Sequence, residues 1–344
     1  MIYQKVALHN VAEVLPTPLN EGVYLTRIPE TVRAAVNERA RSRALWTAGC
    51  EVRFVADAPV VEVLLSVDEA TPREGLPIMA EVYRGPYVQG YASLGPGITR
   101  VRCPQSANPL ALRQTAGATP LFSSDVWRVL LPHLARVRLM GIDAHGGQVR
   151  PPEPGQYPRR RWLAYGSSIT QGALTLAPSG TYVARTARRL GCDALNLGFG
   201  AAALCDAALA AHVASRDDWD LATLELGVNM FGAFALDDFA AHVRRFVRPI
   251  AAAHPDKPVV CLTMFILGGD FTGDQNQFGS TLAEYRQAVR DVVSLLRLPN
   301  LHLIEGTDLL GDPTLLGTDL VHPGDAGMER IAEALVPRLR PLLL

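Results

Sequence analysis

The sequence is poor in the features that mark membrane proteins and nucleic-acid-binding proteins. No segment reaches the roughly 18 uninterrupted apolar residues that a membrane-spanning helix needs. The 33 basic and 34 acidic residues are interspersed, so no basic field is present that could hold a nucleic-acid backbone. We therefore expect neither a membrane span nor a nucleic-acid partner.

Cysteine is also scarce, and its spacing excludes a disulfide framework. The five cysteines are odd in number, form no C-x-x-C pair and have no histidines at zinc-ligand spacing. Most of them lie in apolar context, which indicates packed, reduced thiols. We expect no disulfide and no metal ligand among Cys50, Cys103, Cys192, Cys205 and Cys261.

The N-terminal segment MIYQKVALHNVAEVLPTPLNEG contains no basic stretch followed by an apolar run and a small-residue cleavage site. We therefore expect a cytoplasmic protein. What the chain does have is length and apolar content, because its 344 residues are 48% hydrophobic and 19% charged. Such a chain can bury a large core, and its length favours two domains over one.

The two halves of the chain follow different patterns. From Cys50 to Ile142 the sequence consists of short segments rich in Val, Leu and aromatic residues, separated by Gly, Pro, Asp or Asn. Several of them alternate polar with apolar residues, which is typical of a β-sandwich. The Pro-, Gly- and Arg-rich segment 145–161 then indicates a connection. We predict a β-sandwich domain over residues 1–150 and a second domain over residues 151–344.

The second half alternates short apolar runs with longer helical patterns. Five predicted strands are each followed by a predicted helix, an order that favours a parallel sheet covered by helices on both faces. In such sheets ligands bind at the carboxyl ends of the strands. Functional residues are therefore expected just after WLAY, ALNLGF, LATLELG, PVVCLTM and LHLIEG.

Two adjacent hydroxyls follow the first of these strands, in the sequence Gly166-Ser167-Ser168. A strand-to-helix turn can hold a serine at the mouth of the sheet as a nucleophile. A serine that only caps the following helix fits this stretch taken alone equally well. A phosphate-binding loop does not fit, because G-x-x-x-x-G-K-[ST] is absent and no lysine follows.

A serine nucleophile needs a base, and the C-terminal part of the chain offers one. In GTDLVHPGDAG, Asp319 precedes His322 by three residues. In a turn these positions lie on one side, so the carboxylate can accept Nδ1–H while Nε2 faces the serine. A histidine that merely begins the last helix, followed by Pro323, is the alternative.

Attack on a carbonyl also needs donors for the developing oxyanion. LELGVNM, after the third strand, offers the side-chain amide of Asn229, although an ordinary Gly-Asn turn is an equal alternative. NLGFGAAA, at the end of the second strand, has small residues that leave backbone N–H groups accessible.

Along the chain these four motifs follow the order serine turn, NLGFGAAA, LELGVNM and D-x-x-H-P, and in that order they resemble the SGNH (GDSL-type) hydrolase superfamily over residues 161–344. The resemblance implies a flavodoxin-like three-layer α/β/α domain that cleaves esters through an acyl-enzyme, without cofactor or metal. It implies that Ser168 is the nucleophile, with His322 as general base and then acid and Asp319 as its orienting carboxylate. The implied oxyanion donors are Asn229, the Ser168 N–H and a backbone N–H from Gly200 or Ala201.

Three positions depart from the family pattern. Ser167 stands where the family often has Asp, and Met230 follows Asn229 where Asp is common. Ala201 stands where the glycine of the second motif falls, with Gly200 as a competing assignment. Ser168 is preferred over Ser167 because it fills the third position of G-x-S, which leaves Ser167 to support the turn.

Residues 20–145 resemble the jelly-roll domain that precedes the catalytic domain in two-domain SGNH esterases, including carbohydrate esterases of family two. The resemblance rests on the predicted strands and on EVYRGPYV. It implies a short-chain acyl ester, acetyl above all, of a carbohydrate or similar small alcohol, and it leaves a homo-oligomer open. A thioesterase or lysophospholipase, or an inactive carbohydrate-binding protein, are the alternatives. Aromatic side chains could stack on sugar rings, although packing is the expected role of each: Trp46, Tyr83, Tyr87, Tyr91 and Trp127.

Overall fold

The computed structural model of the chain describes residues 1–19, 21–70, 76–105, 111, 114 and 121–343. Its strands are β1 Ile2–Tyr3, β2 Val6–His9, β3 Glu13–Pro16, β4 Val23–Thr26, β5 Glu51–Ala56, β6 Val60–Ala70, β7 Met79–Arg84, β8 Tyr87–Ser93, β9 Ile98–Pro104, β10 Trp127–Leu130, β11 Ala135–Asp143, β12 Val149–Arg150, β13 Arg161–Gly166, β14 Asp193–Gly198, β15 Leu221–Glu225, β16 Val259–Leu262 and β17 Leu301–Ile304.

The helices are α1 Glu30–Ala35, α2 Glu38–Arg43, α3 Ser168–Gln171, α4 Tyr182–Leu190, α5 Ala207–Ala214, α6 Leu236–Ala253, α7 Gly269–Thr272, α8 Leu282–Leu296, α9 Gly306–Leu309 and α10 Asp325–Leu343. Two short 3₁₀ helices cover Pro178–Gly180 and Pro313–Leu315. Leu344, with which the predicted last helix ends, lies outside the described residues. None of the described helices is both long and apolar enough to cross a bilayer.

The N-terminal part forms a sandwich of two antiparallel sheets. One sheet has the strand order β1-β2-β5-β10-β7-β8, with β12 on β5, and the other has the order β3-β4-β11-β6-β9. Along much of β11 buried and half-buried residues alternate, because every second side chain points between the sheets. The inner faces share one apolar core that includes Val52, Val63 and Val129. The predicted β-sandwich is thus confirmed.

The C-terminal part is a parallel sheet between two layers of helices. The strand order is β14-β13-β15-β16-β17, and every neighbouring pair is parallel. All residues of β15 and β16 are buried, since helices cover both faces. Helices α5, α6 and α8 pack on one face, and α4 and α10 on the other. The predicted α/β/α fold with five strands is confirmed.

Helix α5 begins later than the run of small residues in the sequence suggests. The helical pattern was expected to begin at AAALCD, but the helix starts only at Ala207. Ala201 and Cys205 have φ angles of 56° and 58°, in the left-handed region that a right-handed helix excludes. The segment before the helix is therefore a turn, and it borders the candidate site.

Buried polar contacts join the two parts of the chain. Arg53 of β5 donates two hydrogen bonds to the carboxylate of Asp193 in β14, at 2.6 and 2.7 Å. The side chains of both residues are at most 5% exposed. The Asn10 amide nitrogen also donates to the carbonyl of Asn196 at 3.0 Å. Charged pairs this deeply buried resist separation, because an unpaired charge would be left in an apolar setting.

Candidate active site

Three loops meet at one edge of the parallel sheet. Strand β13 lies between β14 and β15. Gly166, the last residue of β13, pairs with Gly198, the last residue of β14. The loops that follow these strands are therefore neighbours. They carry Ser168, the turn 199–203 and Asn229.

The structure brings together the three side chains of the predicted triad. Ser168 Oγ lies 2.7 Å from His322 Nε2, although 154 positions separate the two residues. Nδ1 of the same ring lies 2.7 Å from Asp319 Oδ2. The other carboxylate oxygen of Asp319 accepts from the backbone N–H groups of Val321 and His322, both at 3.0 Å. Serine, imidazole and carboxylate thus form one continuous hydrogen-bonded chain.

The electrostatics of Asp319 determine the tautomer of the histidine. Burial acts to raise the pKa of the Asp319 carboxyl. Hydrogen bonds from His322 and Val321 outweigh burial and hold this pKa below its usual value. The carboxylate is therefore ionised at neutral pH and can only accept hydrogen bonds. Nδ1 must then carry the hydrogen, which leaves the Nε2 lone pair facing Ser168. In this tautomer His322 can take the serine proton.

The loop before α10 holds the imidazole in place. The Gly317 N–H donates to the carbonyl of His322 at 2.7 Å, and Leu316 forms a bridge with Pro323. The His322 side chain is 15% exposed, so it is largely shielded from water while one edge still reaches Ser168. A fixed ring keeps the distance for proton transfer constant.

The two serines have different environments. Ser167 is buried, its Oγ accepts from the Ile169 N–H at 3.1 Å, and its own N–H donates to Glu225 Oε2 at 2.6 Å. It is the N-cap of α3. Ser168 is half-buried and its hydroxyl faces the imidazole. The support expected of Ser167 is what its contacts provide.

Glu225 is a buried carboxyl beneath the serine turn that the sequence analysis did not single out. Besides the Ser167 contact, Oε2 accepts from Thr170 Oγ1 at 3.1 Å. Burial raises the pKa of the Glu225 carboxyl, and the hydrogen bonds from Ser167 and Thr170 only partly offset this. A Cβ on Gly166 would lie 2.4 Å from Oε2, so the last residue of β13 must be glycine for the carboxyl to fit.

The turn after β14 distinguishes the two candidate oxyanion positions. The Gly200 N–H donates to Gln171 Oε1 at 2.7 Å, so it is already engaged. Asn229 Oδ1 accepts from the N–H groups of Ala202 and Ala203, both at 3.1 Å. No residue that the structure describes accepts from the Ala201 N–H. Within the described part of the chain, the Ala201 N–H in this turn and the amide nitrogen of Asn229 beside it are therefore free to donate.

Side chains of the N-terminal part hold the end of β14 and the turn that follows it, and sequence reasoning missed them. Three donors from the segment before Cys50 each reach a different carbonyl. The pairs are Arg27 Nη1 with the oxygen of Gly198 at 2.9 Å, Asn37 Nδ2 with that of Ala202 at 3.0 Å and Arg43 Nε with that of Gly200 at 3.3 Å. Backbone acceptors leave no residue-type signature, so no sequence pattern could have identified these contacts.

A buried histidine of the N-terminal part completes the support. The carbonyl of His133 accepts from Gln171 Nε2 at 3.0 Å, which fixes the glutamine that binds Gly200. The ring of His133 lies 2.8 Å from Thr175 Oγ1. Burial lowers the pKa of His133 to about 4, so the ring is neutral at physiological pH.

Potential metal ligands cluster elsewhere. Among the described residues, ligand atoms of Glu62, Asp143 and His145 lie within 4.8 Å of one another in the N-terminal sandwich. Arg100 Nη1 already lies 2.9 Å from Glu62 and 3.8 Å from Asp143. The arginine neutralises these carboxylates, so the group forms an ion-pair network.

Two of the five aromatic residues considered for sugar stacking belong to the core. Trp46 and Trp127 are 1% exposed, whereas Tyr91 is 62% exposed. The Trp46 ring packs against the guanidinium of Arg43, at 3.8 Å from the ring centroid. Of these three residues, Tyr91 alone offers an open ring face.

Residues 164–330 match the model of the GDSL-like Lipase/Acylhydrolase family. A salicylyl-acyltransferase from a tetracycline biosynthetic pathway is 21% identical with a TM-score of 0.80, over 98% of this chain and 95% of that one. A Bacteroides ovatus protein named as a GDSL-like lipase is 21% identical with a TM-score of 0.77, over 99% of this chain and 96% of that one.

A family two carbohydrate esterase from Cellvibrio japonicus is 14% identical with a TM-score of 0.65, over 99% of this chain and 96% of that one. At sequence identities this low, the structural similarity establishes a shared fold alone. The shared fold includes the N-terminal sandwich, because the alignments span nearly the whole of each chain. No curated protein sequence gives a match.

Proposed function

We propose that this chain removes short acyl groups, acetyl above all, from a carbohydrate or similar small alcohol. The chain is an ester-cleaving hydrolase, and its residues 164–330 belong to the GDSL-like lipase/acylhydrolase family. The observation that carries the proposal is the chain of two 2.7 Å contacts from Ser168 through His322 to Asp319. We place the boundary between the N-terminal domain and the catalytic domain at residues 150 and 151.

In the proposed mechanism Ser168 is the nucleophile. His322 Nε2 takes the hydroxyl proton as Oγ bonds to the ester carbonyl carbon, and Asp319 stabilises the imidazolium that forms. When the tetrahedral intermediate collapses, the carbon–alkoxy bond breaks and Nε2 gives its proton to the departing alcohol. Water then attacks the acyl-enzyme, with His322 again as the base, and releases the carboxylic acid and free Ser168.

The oxyanion is met by three donors in this proposal. They are the N–H groups of Ser168 and Ala201 and the side-chain amide of Asn229. Gly200, the competing candidate, is disfavoured because its N–H is engaged by Gln171. Asn229 Oδ1 accepts hydrogen bonds from two backbone N–H groups, and these bonds fix the orientation of the side-chain nitrogen. Donors fixed before reaction need no reorganisation when charge develops.

The choice of an acylated carbohydrate draws on the relatives with the same two-part architecture. One is the Cellvibrio japonicus family two carbohydrate esterase, and another is an acetyl xylan esterase from Butyrivibrio proteoclasticus, 11% identical with a TM-score of 0.57 over 99% of this chain. The exposed ring of Tyr91 is compatible with a sugar contact on the N-terminal sandwich.

Acyl transfer to an alcohol is a second candidate reaction, and the full-length likeness to a salicylyl-acyltransferase favours it. The acyl-enzyme is the same in both reactions, and they differ in whether water or an alcohol attacks it. The ratio of transferred to hydrolysed acyl group, measured with an added alcohol acceptor, separates the two.

The test is an assay of p-nitrophenyl acetate with wild type, Ser168→Ala and the matched control Ser167→Ala. Ser168→Ala should lose turnover by a factor on the order of 10⁴ or more, and it should not be labelled by a fluorophosphonate. Ser167→Ala should keep most turnover but lose about 1 kcal/mol of stability with its helix cap. Turnover that survives in Ser168→Ala contradicts the proposed nucleophile.

Substrate class is tested with the same three proteins. A series of p-nitrophenyl acetate, butyrate and octanoate should show the highest kcat/KM for acetate, and acetylated sugars should compete with it. A preference for octanoate would instead favour a thioesterase or lysophospholipase. If Ser168→Ala changed no measurable property, the chain would be an inactive carbohydrate-binding protein.

A further inference from the structure

The Ala201 N–H belongs to a peptide unit whose other end is held by the N-terminal sandwich. Residues 199–202 form a β-turn, closed by a hydrogen bond from the Ala202 N–H to the carbonyl of Phe199 at 3.0 Å. Gly200 and Ala201 are its central residues, and of these two only Ala201 has a positive φ, at 56°. This is the pattern of a type II turn, which ordinarily places glycine at the position of Ala201.

The central peptide of such a turn can face either way. Rotating it by about 180° converts a type II turn into a type I turn, in which the third residue has a negative φ. A left-handed conformation costs an alanine roughly 1–2 kcal/mol, so Ala201 favours the rotated form. In that form the Ala201 N–H would point away from its present direction, and the carbonyl of Gly200 would take its place.

Arg43 opposes this rotation. Its Nε donates to the carbonyl oxygen of Gly200 at 3.3 Å, and this oxygen belongs to the same planar peptide as the Ala201 N–H. The guanidinium packs on the Trp46 ring, and Nη1 lies 3.8 Å from Glu69. Burial lowers the pKa of Arg43, yet arginine stays protonated at neutral pH because its usual pKa exceeds 12.

The remaining bonds of the turn do not fix this peptide. The Gly200 N–H and the Ala202 carbonyl, bound by Gln171 and Asn37, belong to the peptides before and after it. Among the described residues, Arg43 alone donates a hydrogen bond to the Gly200 carbonyl. A cation on a carbonyl oxygen also polarises the amide and makes its N–H a stronger donor.

We propose that Arg43 is a positioning residue for catalysis, which holds and polarises the Gly200–Ala201 peptide so that the Ala201 N–H faces the oxyanion. This inference rests on the proposed function, because it assigns a role in the same reaction. It makes the N-terminal domain a direct support of the oxyanion hole. It also explains how alanine can occupy the turn position that glycine usually fills.

The experiment compares Arg43→Met with Arg39→Met, an exposed arginine on the same helix whose charge also acts on Arg43. We expect Arg43→Met to lower kcat on p-nitrophenyl acetate by a factor on the order of ten to a hundred, with KM changed less than about threefold. Arg39→Met should stay within about twofold of wild type. Thermal unfolding of each variant reports whether it is folded.

A transition-state analogue gives a readout that a merely structural role would not move. A trifluoromethyl ketone that adds to Ser168 as a hemiketal places an oxyanion against the three donors. Its Ki should rise in Arg43→Met by the same factor by which kcat/KM falls, because both report oxyanion binding. Arg43→Lys, which keeps the charge, should lie between Arg43→Met and wild type.

A double-mutant cycle with Ala201→Gly tests the turn itself. Glycine removes the strain of the left-handed conformation, so Arg43→Met should cost severalfold less kcat in the Ala201→Gly background than in wild type. Equal losses in the two backgrounds, or an unchanged Ki in Arg43→Met, would overturn the inference. If Ser168→Ala were itself active, the proposed function would fail instead, which keeps the two failures distinguishable.

Discussion

Substituting Asn229 by Asp or by Ala separates the two tasks of this side chain. Asn229 Oδ1 accepts from the N–H groups of Ala202 and Ala203, while its nitrogen is proposed to bind the oxyanion. Aspartate keeps an acceptor for both N–H groups and loses only the donor. Alanine loses the donor and both contacts to the turn.

The magnitudes follow from the contacts. Loss of one oxyanion donor lowers kcat by roughly 10²- to 10³-fold, and both variants lose it. An aspartate at this position would carry a negative charge near the oxyanion, and two like charges about 4 Å apart repel by about 4 kcal/mol at an effective dielectric constant of 20. Asn229→Asp should therefore lose kcat by more than roughly 10⁴-fold, and Asn229→Ala by less.

Stability should change in the opposite order. Alanine leaves the Ala203 N–H without its acceptor, which costs about 1–3 kcal/mol, whereas aspartate keeps this contact. The assay is kcat for p-nitrophenyl acetate at pH 8 together with thermal unfolding of both variants. An Asn229→Asp enzyme that turns over faster than Asn229→Ala would refute the placement of the amide nitrogen at the oxyanion.

Two further predictions concern the ionisable groups around the site. Asp319→Asn should lower kcat by roughly 10²- to 10⁴-fold at neutral pH, because an amide no longer requires the hydrogen on Nδ1 of His322. Steady-state kinetics measure this loss of kcat. A loss below tenfold would contradict the assigned tautomer of His322. Burial holds the pKa of His133 at about 4, below the usual 6.5, so between these pH values the unfolded state binds the extra proton and stability falls as the pH falls. The loss should amount to about 3 kcal/mol, and His133→Gln should show a flatter dependence of Tm on pH from 7 to 4; an equal slope in both proteins would be the contrary result.

The architecture was predictable because both parts of the chain have distinct periodicities. Strand β16 is a continuous apolar run and β15 is mainly apolar, since helices cover both faces of the sheet, and the amphipathic helices α6 and α8 follow them along the chain. The elements before Cys50 were not predicted, since β1 to β4 have at most four residues and α1 and α2 have six each. Segments this short carry too little periodicity to be recognised.

The proximity of the triad residues was predictable for a different reason. Each motif is local, and the topology of a parallel sheet brings the strand ends together whatever the rest of the chain does. The support of the oxyanion turn was not predictable, because Arg43 binds a backbone carbonyl 157 positions away. The engagement of the Gly200 N–H by Gln171 likewise depends on the rotamer of one side chain, which sequence does not specify.

The three carbonyl contacts made by Arg27, Asn37 and Arg43 bear on modularity. A fragment of residues 151–344 would keep all three residues of the proposed triad, yet the carbonyl oxygens of Gly198, Gly200 and Ala202 would lose these donors. Anyone who grafts this domain onto a different N-terminal module would have to transplant those donors as well. If the proposed function holds, activity depends on both parts of the chain.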